Sequence, residues 1–142
     1  MAKHSRYAEG TEVPVERSKA ELDRILSKHG AGQRGILDDD VAGRAIVMFA
    51  LEGRQYRIDV PLPSKKEFRA ERQHEQRVRE RWRALILMVK AKLELCALGV
   101  STVEREFLAD LVLPDGQRVH AALMTGIRKA YETGTMPPLL PE

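Results

Sequence analysis

Two short motifs, one with a histidine and one with three aspartates, have residue types that can bind a metal ion. Neither motif has the ligand spacing of a known metal site. His74-Glu75 begins like the zinc-binding HExxH motif, yet Val78 stands where the second histidine belongs. The segment Asp38 to Asp40 offers oxygen ligands for a hard cation, but no further ligands are placed around it. We therefore expect no metal site. A nuclease that uses Asp38 to Asp40 and a metal stays open as a third hypothesis.

A glycine-rich segment and a single cysteine are the other chemical candidates. Residues 30–35 (GAGQRG) match the letters of the dinucleotide-binding GxGxxG motif. A helical pattern precedes them and strand-like residues follow, which reverses the order that such a site needs. Cys96 lies in an apolar stretch, which is typical of a buried thiol. We expect no cofactor, no catalytic residues and a non-enzymatic protein.

The strongest candidate site is a row of basic residues on a long helix predicted from Lys65 to Gly99. At about 100° per residue, one side of the helix carries Lys65, Arg69, Arg72, Arg79, Arg83 and Lys90, a row of roughly 37 Å. Arginine matches phosphate geometry, so such a row can follow a nucleic-acid backbone without reading its sequence. A solvated charged face is the alternative interpretation. The predicted nucleic-acid-binding residues are Lys65, Arg69, Arg72, Arg79 and Arg83.

The same helix supports a second hypothesis, a protein-interaction module. Its residues change from mostly charged to mostly apolar near Trp82, and its second half is apolar on most sides. A helix of that kind is either buried or part of an interface. In this alternative the partner-binding residues are Phe68, Val78 and Trp82. The partner is then a second copy of the chain, giving a homodimer, or a host defence or replication protein that the module inhibits.

The elements that position these residues predict an α+β fold with a small antiparallel sheet. Apolar alternation predicts strands at 44–51 and 54–62 around a turn at Glu52-Gly53, with shorter strands at 11–16 and 36–37. The sheet is preceded by an N-terminal helix and followed by the long helix and two shorter C-terminal helices.

Helix boundaries are predicted from capping residues. Ser18 with Glu21, and Ser101 with Glu104, have the spacing of capping boxes, which satisfy backbone N–H groups at helix starts. Gly30 and Gly99 are the predicted stops of the first and the long helix, and the helix that starts at Ser101 is predicted to run through Leu111. The last helix is predicted over 119–131, weakened by a glycine inside it.

Composition and length narrow the class of protein. The 142 residues fit one domain over 1–142, with loose tails at 1–12 and 135–142. A formal net charge of +3 permits nucleic-acid binding, while an aromatic content of 5% weakens recognition by base stacking. The apolar run at 84–89 is far shorter than the ~20 residues that span a bilayer, so we expect a soluble intracellular protein without a membrane partner.

Five segments occur in an order that resembles a recurrent family of small, functionally unassigned proteins of tailed bacteriophages and prophages. These segments are VERSKAELDRIL, AIVMFALEGRQYRIDVPLP, RWRALILMVKAKLE, STVEREFLADLVLPDG and AYETGTMPPLLP. The resemblance implies a phage origin and a location in the host bacterial cytoplasm. It offers no active site to transfer. Residues 64–79 depart from the family pattern, so the resemblance does not extend to the start of the basic row.

Overall fold

A computed structural model describes residues 8–140 and arranges a three-stranded sheet among helices. The helices are α1 (Val15–Lys28), α2 (Glu71–Ala97), α3 (Val103–Glu106) and α4 (Val119–Thr133), and the strands are β1 (Arg34–Asp39), β2 (Arg44–Leu51) and β3 (Arg54–Pro61). Short 3-10 turns lie at Lys65–Glu67 and Leu108–Asp110. The predicted α+β class is confirmed, with an N-terminal helix, an antiparallel sheet, a long helix and shorter C-terminal helices.

The start of α1 corrects two predictions. Residues 11–14 are irregular rather than a strand, and the Pro14 carbonyl accepts the Ser18 N–H at 3.1 Å as the first helical bond. Pro14 is the N-cap, and its backbone is still extended, with φ −60° and ψ 149°. Ser18 is therefore a fully buried residue inside the helix and not its N-cap. The strand at 11–16 and the capping box of Ser18 and Glu21 are both wrong.

The sheet places β2 in the centre, antiparallel to β1 on one side and to β3 on the other. Glu52 and Gly53 form the predicted turn, both with positive φ, as a two-residue hairpin turn requires. One face of the sheet is buried against α1 and α2. The residues of this core include Ala45, Val47, Phe49, Leu51, Tyr56, Ile58 and Val60 from the sheet, Leu22 and Leu26 from α1, and Trp82, Ile86, Val89 and Leu93 from α2.

An aromatic cluster joins the segment after α2 to the sheet. Phe49 and Tyr56 stack with ring centroids 5.4 Å apart, and Phe107 packs edge-on against both, at 5.4 and 6.0 Å. Beyond Phe107, the Val112 N–H donates to the Gln55 carbonyl at 2.9 Å. The chain thus continues along the edge of β3 before α4 begins.

The helix predicted from Ser101 is shorter than expected and begins one residue later. Thr102 is its N-cap, with Oγ1 accepting the Arg105 N–H at 3.2 Å. Ser101 instead donates its hydroxyl to the Glu106 carboxylate at 2.6 Å. α3 ends at Glu106 because the next residue, Phe107, turns into the core, where it is 0% exposed.

The two predicted tails are partly held by the body of the protein. Residues 1–7 and 141–142 lie outside the described residues. In the described part, the Gly10 N–H donates to Glu80 at 3.2 Å, and Gln76 donates to the Thr11 carbonyl at 2.8 Å. At the other end, a Cβ on Gly126 of α4 would come within 3.2 Å of the Leu139 carbonyl oxygen. The glycine inside α4 therefore gives room for residues 135–140 to fold back.

Candidate functional site

The helix that was expected to present the basic row begins six residues later than predicted. α2 starts at Glu71 because Phe68 has extended backbone angles, with φ −124° and ψ 139°, and interrupts the helical path. Lys65 lies in the preceding 3-10 turn and Arg69 in the link between the two, so neither belongs to α2. The prediction that one helix runs from Lys65 is wrong.

His74 helps to fix this change of direction. Its Nε2 donates to the Pro63 carbonyl at 2.8 Å, and its ring packs edge-on against Phe68 with centroids 5.8 Å apart. The histidine therefore ties the start of α2 to the end of the β3 strand. This contact explains why the chain leaves the straight helix that the charge pattern predicts.

The remaining members of the basic row differ in exposure and in partners. Arg72 is exposed, whereas Arg79 and Arg83 are half-buried. Arg83 bonds the Glu21 carboxylate on α1, and Arg79 donates to the Gln76 side chain at 2.5 Å. The packing of α1 on α2 thus occupies part of the helix side that a phosphate backbone would follow. The five predicted residues do not form one continuous exposed row.

Carboxylates lie among the cations at the start of α2. A surface cavity of about 410 Å³ is lined by Lys65 and Arg79, but also by Glu12, Glu71 and Glu75. Phosphate oxygens are repelled by carboxylates and attracted by guanidinium groups. The electrostatic field of this region is therefore mixed, which removes the main argument for a long phosphate-binding surface.

The residues predicted to contact a protein partner are mostly interior. Trp82 is 1% exposed in the core and Lys19 lies over its ring, with Nζ 5.2 Å from the ring centroid. Val78 is half-buried and packs against the same core, and Phe68 is half-buried against His74. The structure contradicts the role of Trp82 as a partner contact, because this fold leaves its side chain no surface to offer.

The other chemical candidates have structural roles. Asp38 pairs with Lys19 on α1 at 2.8 Å, and residues 30–33 connect α1 to β1. Within residues 8–140, no group of three or more His, Cys, Asp or Glu side chains could hold a metal ion. Burial raises the pKa of the half-buried Cys96 thiol, and the nearby Glu106 and Glu52 carboxylates act in the same direction.

The outer face of the sheet has cations, but a shared carboxylate neutralises part of their charge. Asp59 accepts from Arg118 at 3.0 Å, from Arg57 at 3.1 Å and from Arg44 at 3.4 Å. Arg118 precedes α4, so this cluster fastens the C-terminal half to the sheet. We interpret it as a structural ion-pair network, because each guanidinium already has a carboxylate partner.

An apolar row lies on the outer side of α2, where it is partly exposed. Its members recur at alternating steps of four and three residues and lie opposite the buried row of the same helix, at about 100° per residue. Met88, Leu95 and Leu98 are 37%, 38% and 74% exposed. We call this set the outer row, and it consists of Ala84, Met88, Ala91, Leu95 and Leu98.

The helix end extends the outer row. Gly99 has φ +75°, and the Val100 N–H donates to the Leu95 carbonyl at 3.0 Å, which is the Schellman arrangement. This turn keeps Val100, which is 67% exposed, next to the last turn of α2. The half-buried Leu87 lies beside the row on α2. Exposed or half-buried apolar residues thus recur at helical spacing along the second half of α2.

Sequence reasoning noticed that this half of α2 is apolar on most sides but did not separate its two faces. The buried row of Trp82, Ile86, Val89 and Leu93 and the outer row both follow helical spacing. A second period of alternating four- and three-residue steps, starting at Ala84, was the available signal. Only the position of the sheet and α1 determines which of the two rows is covered.

Comparison with protein-family models, with curated proteins and with solved structures finds no match to this chain. Among the described residues, no helix is both long enough and apolar enough to cross a membrane.

Proposed function

We propose that this protein is a non-enzymatic protein-interaction module that binds its partner through the outer row of α2. The observation that carries the proposal is the exposure of Met88, Leu95 and Leu98 on one face of a helix whose opposite face is core. Surface helices normally present polar residues to water, and continuous exposed apolar surface is typical of interaction sites.

The geometry favours a helical or flat apolar partner. A row with alternating steps of three and four residues is the pattern by which one α-helix packs along another. The row continues toward the start of α2 with the exposed Arg81 and with the half-buried Arg77, whose guanidinium bonds the Glu80 carboxylate at 3.0 Å. The surface therefore combines an apolar section with a basic end, and a partner would have an apolar stripe with acceptor groups at one end.

The test compares two double variants of equal charge. Leu95→Lys with Leu98→Lys places cations at the C-terminal end of α2, where lysine is favourable to helix stability. Leu37→Lys with Val41→Lys changes two exposed apolar residues of the sheet region instead. We expect the first variant alone to lose association, measured by sedimentation of the pure protein and by co-purification from a bacterial lysate. Equal association of both variants would show that the outer row is not an interaction surface.

A second candidate function is non-specific nucleic-acid binding at a smaller site than the sequence predicts. Four exposed cations, which lie just before α2 or in its first turn, favour this candidate. Within the described residues, these cations form no salt bridge. These are Lys65, Lys66, Arg69 and Arg72. Such a site would contact few phosphates, so its affinity would fall less steeply with salt than that of the full row.

The nucleic-acid candidate has its own matched test. Arg69→Glu with Arg72→Glu reverses two of these charges, and Arg24→Glu with Lys28→Glu reverses two exposed charges on α1. Salt-titrated binding to single- and double-stranded DNA and RNA should be lost in the first variant and retained in the second. Equal loss in both variants would indicate a response to overall charge and not a site.

The cellular setting rests on the sequence resemblance. We propose that the module acts in the cytoplasm of a phage-infected bacterium, where the lone Cys96 would remain reduced. Host defence and replication proteins are the partners to test first, besides a second copy of the chain.

A further inference from the structure

We propose that the partner of the outer row is a second copy of this chain, docked antiparallel about a two-fold axis near Ala91. The inference rests on the proposed function, because it names the occupant of the same surface. An isologous contact of this kind closes on itself and uses one patch twice, so it gives a dimer and not a filament.

Side-chain size supports the antiparallel arrangement. The axis at Ala91 places residues that are equally far from it on the two helices opposite each other. Ala84 then faces Leu98 of the second copy, since both lie seven positions from Ala91. Helix interfaces pack well when large residues face small ones, and an alanine at the centre lets the two backbones approach closely.

Charge at the ends of the row also distinguishes the two orientations. In a parallel pair, the exposed Arg81 would face Arg81 of the second copy, and like charges at that distance repel. In the antiparallel pair, Arg81 lies opposite residues 98–101, next to the C-terminal end of the other α2. The last turn of α2 has no basic residue of its own to offset the negative end of the helix dipole.

The size of the surface sets the expected strength. From Ala84 to Leu98 the row covers about 21 Å at 1.5 Å per residue. Such a contact is smaller than the roughly 800 Å² per partner of a standard stable interface. We therefore expect a concentration-dependent dimer with a micromolar Kd. Leu95→Lys with Leu98→Lys should raise that Kd at least about tenfold, because each lysine would have to lose its hydration on docking.

Disulfide trapping tests the orientation. All variants are made in a Cys96→Ser background, so that the introduced thiols are the only ones. Ala84→Cys protein is mixed with Leu98→Cys protein and oxidised, and the antiparallel dimer predicts mixed disulfides between the two. A parallel dimer predicts Ala84→Cys homodimers, because disulfides need Cβ atoms about 4 Å apart. Predominant Ala84→Cys homodimers would overturn the proposed orientation.

Sedimentation of the unmodified protein tests the occupant itself, with fluorescence of the buried Trp82 as a check that every variant is folded. A wild-type chain that stays monomeric at millimolar concentration would overturn the second-copy proposal. The proposed function would still stand if a lysate protein were captured by the wild type and lost in the Leu95→Lys, Leu98→Lys variant. If the Leu95→Lys, Leu98→Lys variant keeps both self-association and capture of the lysate protein, the proposed function is rejected.

Discussion

The Arg83 guanidinium on α2 bonds the Glu21 carboxylate on α1, joining residues 62 positions apart in sequence. Both side chains are largely covered, at 22% and 23% exposure. This pair fastens the two helices that cover the sheet. It also explains why Arg83 cannot serve a phosphate-binding row, because its charge is already neutralised by a neighbouring helix.

The first prediction concerns that pair. Glu21→Arg places two guanidinium groups together and should lower the free energy of unfolding by about 1–3 kcal/mol. The exchange Glu21→Arg with Arg83→Glu restores opposite charges and should regain most of the loss. Urea denaturation of the wild type, both single variants and the exchange measures the coupling. If the exchange is no more stable than the sum of the single changes predicts, the pair does not stabilise the fold.

The second prediction separates core from surface on α2. Trp82→Ala should lower the free energy of unfolding by about 3–5 kcal/mol, because a fully buried large side chain leaves a cavity. Leu95→Ala, on the outer row of the same helix, should cost far less. Thermal and urea unfolding of the purified protein, at concentrations below the proposed dimer Kd, provide the comparison. A small cost at Trp82 would place this residue on the surface and revive its role as a partner contact.

The third prediction is a pH dependence at Glu80. Burial opposes ionisation there, but the Gly10 N–H and the Arg77 guanidinium outweigh it and lower the pKa of the carboxyl. Its contribution to stability is therefore present above the ordinary value of 4.5 and is lost as pH falls through the folded-state pKa. Glu80→Gln should destabilise the protein at pH 7 by about 1 kcal/mol.

Urea denaturation at pH 7 and pH 3 checks the Glu80 prediction. The gap between wild type and Glu80→Gln should narrow at the lower pH, because the wild-type carboxyl then takes up a proton. Hydrogen exchange at the Gly10 amide should be faster in the variant at pH 7. A gap that is the same at both pH values would mean that the charge of Glu80 is not what holds the N-terminal segment.

The fourth prediction has the opposite sign. Burial raises the pKa of Asp110, although Lys92, Arg118 and His120 lie near enough to oppose that effect. The folded protein therefore binds this proton more tightly than the unfolded chain, and stability falls as pH rises from 3.8 through the folded-state pKa. Asp110→Asn removes the ionisation and should raise Tm at pH 7.

The Tm difference between Asp110→Asn and the wild type should disappear at pH 3, where the wild-type carboxyl is protonated in both states. Scanning calorimetry at the two pH values measures it. A lower Tm of the variant at pH 7 would show that attraction to the neighbouring cations outweighs the cost of burial.

Local sequence patterns determined much of the secondary structure. The strands at 44–51 and 54–61, their turn at Glu52-Gly53 and the helix stop at Gly99 follow from side-chain alternation and from backbone angles that few residues adopt. Such signals act over a few residues and need no partner to be recognised. The α+β class followed from the order of these elements.

Helix starts were less predictable, because several residues compete to cap each helix. Ser18 and Ser101 have suitable side chains, yet Pro14 and Thr102 begin the helices in the folded chain. The start of α2 moved to Glu71 because Phe68 and His74 pack on each other and His74 bonds the Pro63 carbonyl in the segment after β3. Those contacts join segments that no local pattern connects.

The sequence by itself determined that α2 would be apolar on most sides in its second half and rich in cations in its first half. Only the tertiary structure decided which faces meet water. The sheet and α1 cover Trp82 and engage Arg83, while Leu95 and Leu98 remain exposed. Helical periodicity gives the angles between side chains, but the covered side depends on where other segments pack, and that is a property of long-range contacts.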